Sequence, residues 1–250
     1  YTLPQAKEIS PYRYVGVNFN SQGNPNLKPS DHYNLDLKWD FNPTPTELIS
    51  LTAFYKLIKN PISRIEVASA GGYLSYENIA DKATVAGVEV EIRKNLFVRP
   101  VSNAAHGMNK LSLGLNGSYI YTNAKMPLAT VTTGSQLEGA APWIVNFDLS
   151  HNFTKGERSF VNTLVLNYVS DKIYTIGTQG YQDIMEQGVL TLDFVSQAKL
   201  NKHLSFNLKA RNLLNSSYKL SRKANENGEK VILNDYKKGI NISLGVSCTF

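Results

Sequence analysis

Apolar and polar side chains alternate along this chain in runs of about ten residues, and the pattern recurs from residue 33 to the end. In residues 33–41, Tyr33, Leu35, Leu37, Trp39 and Phe41 share one face, and Asn34, Asp36, Lys38 and Asp40 share the other. A period of two residues is the signature of a strand with two unlike faces. The same reading predicts strands at about 48–58, 84–94, 111–122, 143–153, 160–174, 189–200, 204–211 and 240–250. Phe54 breaks the alternation of its strand. About nine strands, mostly of 10–12 residues, are too long for an ordinary sandwich, since globular strands average about 5–6 residues. Tilted strands that cross a bilayer need about 9–11.

Composition narrows the choice. Hydrophobic residues make up 42% of the chain and charged residues 18%. No apolar run approaches the ~18 residues of a spanning helix, so a membrane protein of this composition crosses as a barrel. The connections alternate. Long ones centre near residues 226, 181, 132 and 71, and short ones near 202, 157 and 44, with a longer exception near 102. Outer-membrane barrels have short periplasmic turns and long extracellular loops. The aromatics sort by strand end. Phe41, Phe153, Phe160 and Phe250 fall at the short-turn ends, and Tyr55, Tyr119, Tyr121 and Trp143 at the other. Two such bands suit the two headgroup zones. The predicted fold class is all-β, an antiparallel transmembrane β-barrel segment with its C-terminus in the periplasm. Residues 1–31, broken by Pro4, Pro11, Pro25 and Pro29, are expected to be an irregular extracellular region.

The net charge of +6 is spread thinly, with no dense basic run and no RNA-binding aromatic motif, which argues against nucleic acid as a partner. A solvated surface is the ordinary explanation, and attraction to an anionic outer-membrane surface is another. Cys248, the one cysteine, reads as a small apolar filler. His32, His106, His151 and His203 are isolated, without metal-ligand spacing, and no nucleophile elbow, phosphate loop or CxxC occurs. The reading is of a non-enzyme without cofactor. Asp36, Lys38 and Asp40, then Glu89, Glu91 and Arg93, then Lys209 and Arg211, line the polar face and are expected to form cross-strand pairs or to line a lumen. Tyr73, Tyr76 and Tyr181, in the long connections, are candidate ligand-binding residues because aromatic faces stack on chelates and sugars.

Four stretches, in order, resemble the C-terminal half of TonB-dependent outer-membrane receptors. Asn24-Pro25-Asn26-Leu27-Lys28-Pro29 is similar to the family's NPxLKPE, with Ser30 where an acid is usual. Ala86-Gly87-Val88-Glu89-Val90-Glu91-Ile92 resembles its GVELEL strand. Arg211-Asn212-Leu213-Leu214-Asn215-Ser216-Ser217-Tyr218 resembles its NLFNxxY stretch. The ending Ile242, Leu244, Val246, Cys248, Phe250 resembles the terminal signal read by the barrel assembly machinery. The resemblance implies a plugged barrel of about 22 strands, of which these would be the last nine, the plug having no counterpart here. It implies import of a scarce nutrient (an iron chelate, a cobalamin-like or a glycan cargo), energised through a TonB-type complex. Outer-membrane lipid and lipopolysaccharide would surround the barrel. A small outer-membrane barrel acting as an enzyme or adhesin, or a soluble β-sandwich binding protein, are the rival readings.

Overall fold

A computed structural model of the chain describes residues 1–68, 72–101, 107–126, 135–224 and 228–249. Helix α1 (Ala6–Ile9) and strands β1 (Arg13–Tyr14) and β2 (Ser21–Gln22) precede β3 (Asp31–Phe41) and β4 (Leu48–Lys59). Then come β5 (Ile62–Val67), β6 (Tyr73–Asn78), β7 (Lys82–Pro100), β8 (Met108–Ala124), β9 (Trp143–Lys155) and β10 (Arg158–Val169). The chain continues through β11 (Lys172–Thr175), β12 (Ile184–Glu186), β13 (Val189–Lys199) and β14 (Leu204–Arg211). It ends with β15 (Ser217–Lys223), β16 (Lys230–Lys237) and β17 (Asn241–Cys248).

Nine long strands form one antiparallel sheet in the order β17-β14-β13-β10-β9-β8-β7-β4-β3. They are the nine strands that the alternation predicts, and they lie in one sheet rather than in the two packed faces of a sandwich. The sheet is not closed, and β3 and β17 are its edges. The registers confirm the faces. Leu35 lies opposite Tyr55, Tyr55 opposite Ala86, and Ala86 opposite Tyr121, all on the apolar side. That side is largely uncovered, with Leu35 71% and Leu244 78% exposed. Among the described residues no helix is long and apolar enough to cross a membrane, which says nothing of strands.

Phe54 sits on the polar face because β7 offers a glycine there. Phe54 is paired with Gly87, and a Cβ at Gly87 would fall 2.4 Å from the Phe54 ring. The β9–β10 turn is two residues long, Gly156 and Glu157, with Gly156 at φ 60. A positive φ at the first central position of a two-residue hairpin favours glycine. The exception near residue 102 joins the two longest strands, β7 with 19 residues and β8 with 17.

Three of the long connections are not simple loops. The segment 60–83 contains the β5–β6 hairpin, 175–188 contains β12, and 214–238 contains β15 and β16. The predicted strand 160–174 is two strands. Ser170 breaks it, donating its N–H to Trp143 O (2.9 Å) while its hydroxyl accepts from Trp143 N (2.9 Å). These pieces make two four-stranded sheets, β1-β2-β6-β5 and β11-β12-β15-β16. An isolated parallel bridge, Ile65 to Ile176, ties one to the other. The buried cluster of the chain lies here, around Ile65, Ile79, Leu137, Ile173 and Ile176.

Candidate functional site

The long-connection end of the sheet carries a cavity of about 220 Å³. It is walled by Lys7 of α1, by Asn18 and Phe19 ahead of β2, by Arg64 of β5, by Tyr76 of β6 and by Tyr174 of β11. Alternation on β6 brings Leu74 and Tyr76 to the cavity face together. The ring of Tyr174 lies 6.2 Å from that of Phe19 and 4.0 Å from the Arg64 guanidinium.

Arg64 fixes the wall. Its Nη2 donates to Tyr174 O (2.6 Å) and to Glu138 Oε1 (2.8 Å), and its Nε donates to Tyr174 O (3.1 Å). Its backbone N–H donates to Glu138 Oε2. Glu138 in turn lines a second cavity, of about 250 Å³, with His32 and Glu8. The Arg64–Glu138 pair therefore stands between the two. Burial pushes the Glu138 carboxyl up, against the pull of Arg64. Burial also raises the Tyr76 phenol, so it stays a neutral donor and acceptor at ordinary pH. A second ion pair, Arg222 with Glu66, links β15 to β5, and Arg222 stacks over the Tyr181 ring at 5.3 Å.

The three candidate tyrosines do not converge. Tyr76 lines the cavity. Tyr73, three residues away, is on the opposite face of β6 with the Arg13 guanidinium 5.4 Å over its ring. Tyr181 is 42% exposed beside Arg222. Phe250 and His106 lie outside the described residues. Arg64, Tyr174, Phe19 and Lys7 escaped the sequence reading. The signal for Arg64 was the short β-branched alternation of Ile62–Val67 inside a stretch that reads as one long loop. Among the described residues no group of three or more His, Cys, Asp or Glu could hold a metal.

On the polar face of the long sheet, the charges pair along strands rather than across them. Lys38 meets Asp40 at 3.2 Å, and Arg93 meets Glu91 at 2.7 Å. The reason is register: Lys38 faces Thr52, Asp40 faces Ser50, and Glu89 faces Thr52 and Ser118. What does run across strands is amide. Asn146 donates to Asn116 Oδ1 (3.3 Å) and accepts from Asn167.

The motif stretches have structural roles. Asn24 donates to Tyr76 O (3.0 Å), and Lys28 and Asn78 exchange two hydrogen bonds, so the Asn24–Pro29 stretch is clamped along β6. Ser30 is 3% exposed and donates to Asn60 O at 2.7 Å, which an ionised acid cannot do. Asn212 and Asn215 take left-handed backbone conformations, at φ 55 and φ 48. Asn212 Nδ2 donates to Gly239 O (2.8 Å), which fixes the corner between β14 and the outer strands. Asparagine tolerates that conformation better than most residues.

The family model described as TonB dependent receptor-like, beta-barrel matches residues 1–213. No curated protein and no solved structure matches the chain. The family is one of outer-membrane receptors and transporters. With nine long antiparallel strands of the predicted faces and a match over most of its length, this chain belongs to the TonB-dependent receptor-like β-barrel family.

Proposed function

We propose that the chain is the C-terminal portion of the barrel of an energised outer-membrane importer, with a plug domain elsewhere in the same protein. The two edge strands, β3 and β17, carry this reading. An open edge in lipid leaves backbone groups unpaired, so further strands must flank both. The short turns at 42–47, 156–157 and 200–203 face the periplasm, and the layer built from β5, β6, β11, β12, β15 and β16 faces the outside. Along β9, ten residues separate Trp143 from Phe153. At a tilt of about 40° that spans about 25 Å, the height of an apolar band.

Cargo enters from the outer layer, where Phe19, Tyr76 and Tyr174 offer ring faces and Lys7 a cation. Such a wall suits an oxygen-rich anionic chelate better than a neutral glycan. Energy arrives through a TonB-type complex acting on the plug. The final residues, Phe250 among them, serve as the signal that the barrel assembly machinery reads. Deleting Phe250 should lower the amount of barrel in cells more than it impairs refolding in detergent. The direct test is uptake of iron chelates, cobalamin and oligosaccharides by cells carrying the whole gene, with and without the inner-membrane energy complex. Uptake of one cargo that stops without the complex is the expected result. Uptake that continues unchanged would mean a passive pore.

A further inference from the structure

Three adjacent strands each place one polar residue on the apolar face, in the same ladder row. His151 on β9 is opposite Asn162 on β10, and Asn162 is opposite Ser196 on β13. Each is flanked along its own strand by apolar neighbours on that face: Leu149 and Phe153, Phe160 and Leu164, Phe194 and Ala198. Asn109 of β8 joins them, its Oδ1 2.8 Å from His151 Nε2. Ser196 donates its hydroxyl to Asn162 Oδ1 at 2.7 Å. Polar groups on a lipid face are expensive unless something partners them. These hydrogen bonds engage both amide oxygens. Among the described residues, the amide N–H₂ groups of Asn109 and Asn162 have no acceptor. A partner that brings oxygen acceptors would satisfy them.

Two rows closer to the short turn, on the same face, Lys155 and Arg158 stand directly opposite each other. Both are exposed, and neither forms an ion pair among the described residues. Like charges directly opposite destabilise a hairpin. An anion between them turns that repulsion into attraction. The order along the bilayer normal is thus cations, then the Phe153 and Phe160 rings with Asn109 level with them, then Asn162, then the apolar side chains Leu149, Leu164 and Phe194.

We propose that this face holds an anionic phospholipid of the periplasmic leaflet. Its phosphate sits between Lys155 and Arg158, whose long stems reach back toward the bilayer. Its ester oxygens accept from Asn109 and Asn162, and its acyl chains lie along Leu149, Leu164 and Phe194. The choice of leaflet rests on the orientation proposed above.

The test uses the folded outer-membrane protein that carries this chain, in detergent, with phosphatidylglycerol as the added probe and native mass spectrometry as the readout. The wild-type protein should retain one phosphatidylglycerol. K155Q/R158Q should weaken retention roughly thirtyfold, about fivefold per cation. N109L/N162L should weaken it about tenfold, on the order of two net hydrogen bonds. Resistance of the barrel to detergent unfolding at room temperature verifies folding, and N162A replaces the double variant if that one is unfolded. Retention unchanged in either variant overturns the proposal. Loss with the cations alone means diffuse charge attraction, and loss of a dimer with N109L/N162L means a second copy covers the face. Both outcomes also overturn it. Orientation is separable: E157C in a Cys248→Ser background, labelled on intact cells by an impermeant reagent, would refute the leaflet without touching retention by the purified protein.

Discussion

The two regions of this molecule invert the usual relation between size and core. The nine-stranded sheet carries long rows of large apolar side chains, yet its apolar face is largely uncovered. The outer layer of short strands is smaller, but it holds the buried cluster, with Ile176 at 1% exposure. The outer layer is thus stabilised by its own packing and by hydrogen bonds such as those from Arg64 to Tyr174 O and to Glu138. The sheet is stabilised by ladder hydrogen bonds and by what surrounds it. A protein of this kind has two solvents, and each region carries the pattern of its own.

That contrast can be broken most sharply on the sheet. Leu113→Arg and Leu244→Arg, on the apolar face, should each cost the folded barrel about 2–4 kcal/mol near mid-membrane. Ser112→Arg and Ser243→Arg, one residue away on the polar face, should cost clearly less, because a slip of one residue swaps every face. Urea unfolding in lipid vesicles measures the difference, and equal losses would reject the register. In the outer layer the comparable change is Ile176→Ala. It should remove about 2–5 kcal/mol by leaving a cavity. Hydrogen exchange should rise across Ile62–Val67 and Lys172–Thr175 while the long strands stay protected. Exchange that rises equally in both regions would mean they are one cooperative unit.

Smaller effects sharpen the picture. Burial raises the folded-state pKa of Glu138, so protonation is easier in the folded layer than in the unfolded chain. The stabilising contribution is then present in full below the ordinary carboxylate range and lost as pH rises through the raised value. Protease resistance of the outer layer should fall from pH 4 to pH 8, and Glu138→Gln should flatten that dependence. The smallest expected change is in cargo affinity. Tyr76→Ala should weaken binding more than Tyr181→Ala or Tyr73→Ala, since Tyr76 alone of the three lines the cavity. Titration of the purified protein with its cargo checks that order.

The long strands were legible because they are amphipathic over most of their length; Leu204–Arg211 can be read from period alone, whereas Arg158–Val169, with Val161 and Val165 on its polar face, reads less cleanly. The outer strands were not, for a physical reason. Strands of two to seven residues such as Ile184–Glu186 and Ser217–Lys223 contribute too few periods to stand out from polar loop sequence, and Lys230–Lys237 carries Val231, Ile232 and Leu233 in a row rather than in alternation. Their pairing is also set by contacts far along the chain, as with Ile65 and Ile176. The candidate site fared similarly. Tyr76 was accessible as an aromatic in a long connection, whereas Arg64 and Tyr174 become neighbours only through the folding of that layer. The lipid-side row of His151, Asn162 and Ser196 escaped the sequence reading, because only the register aligns three single polar residues on separate strands.

The most direct test of the two-faced sheet is a spin-label scan of β8 from Lys110 to Asn116 in the membrane-embedded protein, in a Cys248→Ser background. Labels at Leu111, Leu113 and Leu115 should collide with oxygen dissolved in lipid, and labels at Ser112, Gly114 and Asn116 with a water-soluble nickel chelate, in strict alternation. A scan without a two-residue period, or with the chelate favouring the leucines, would contradict the account.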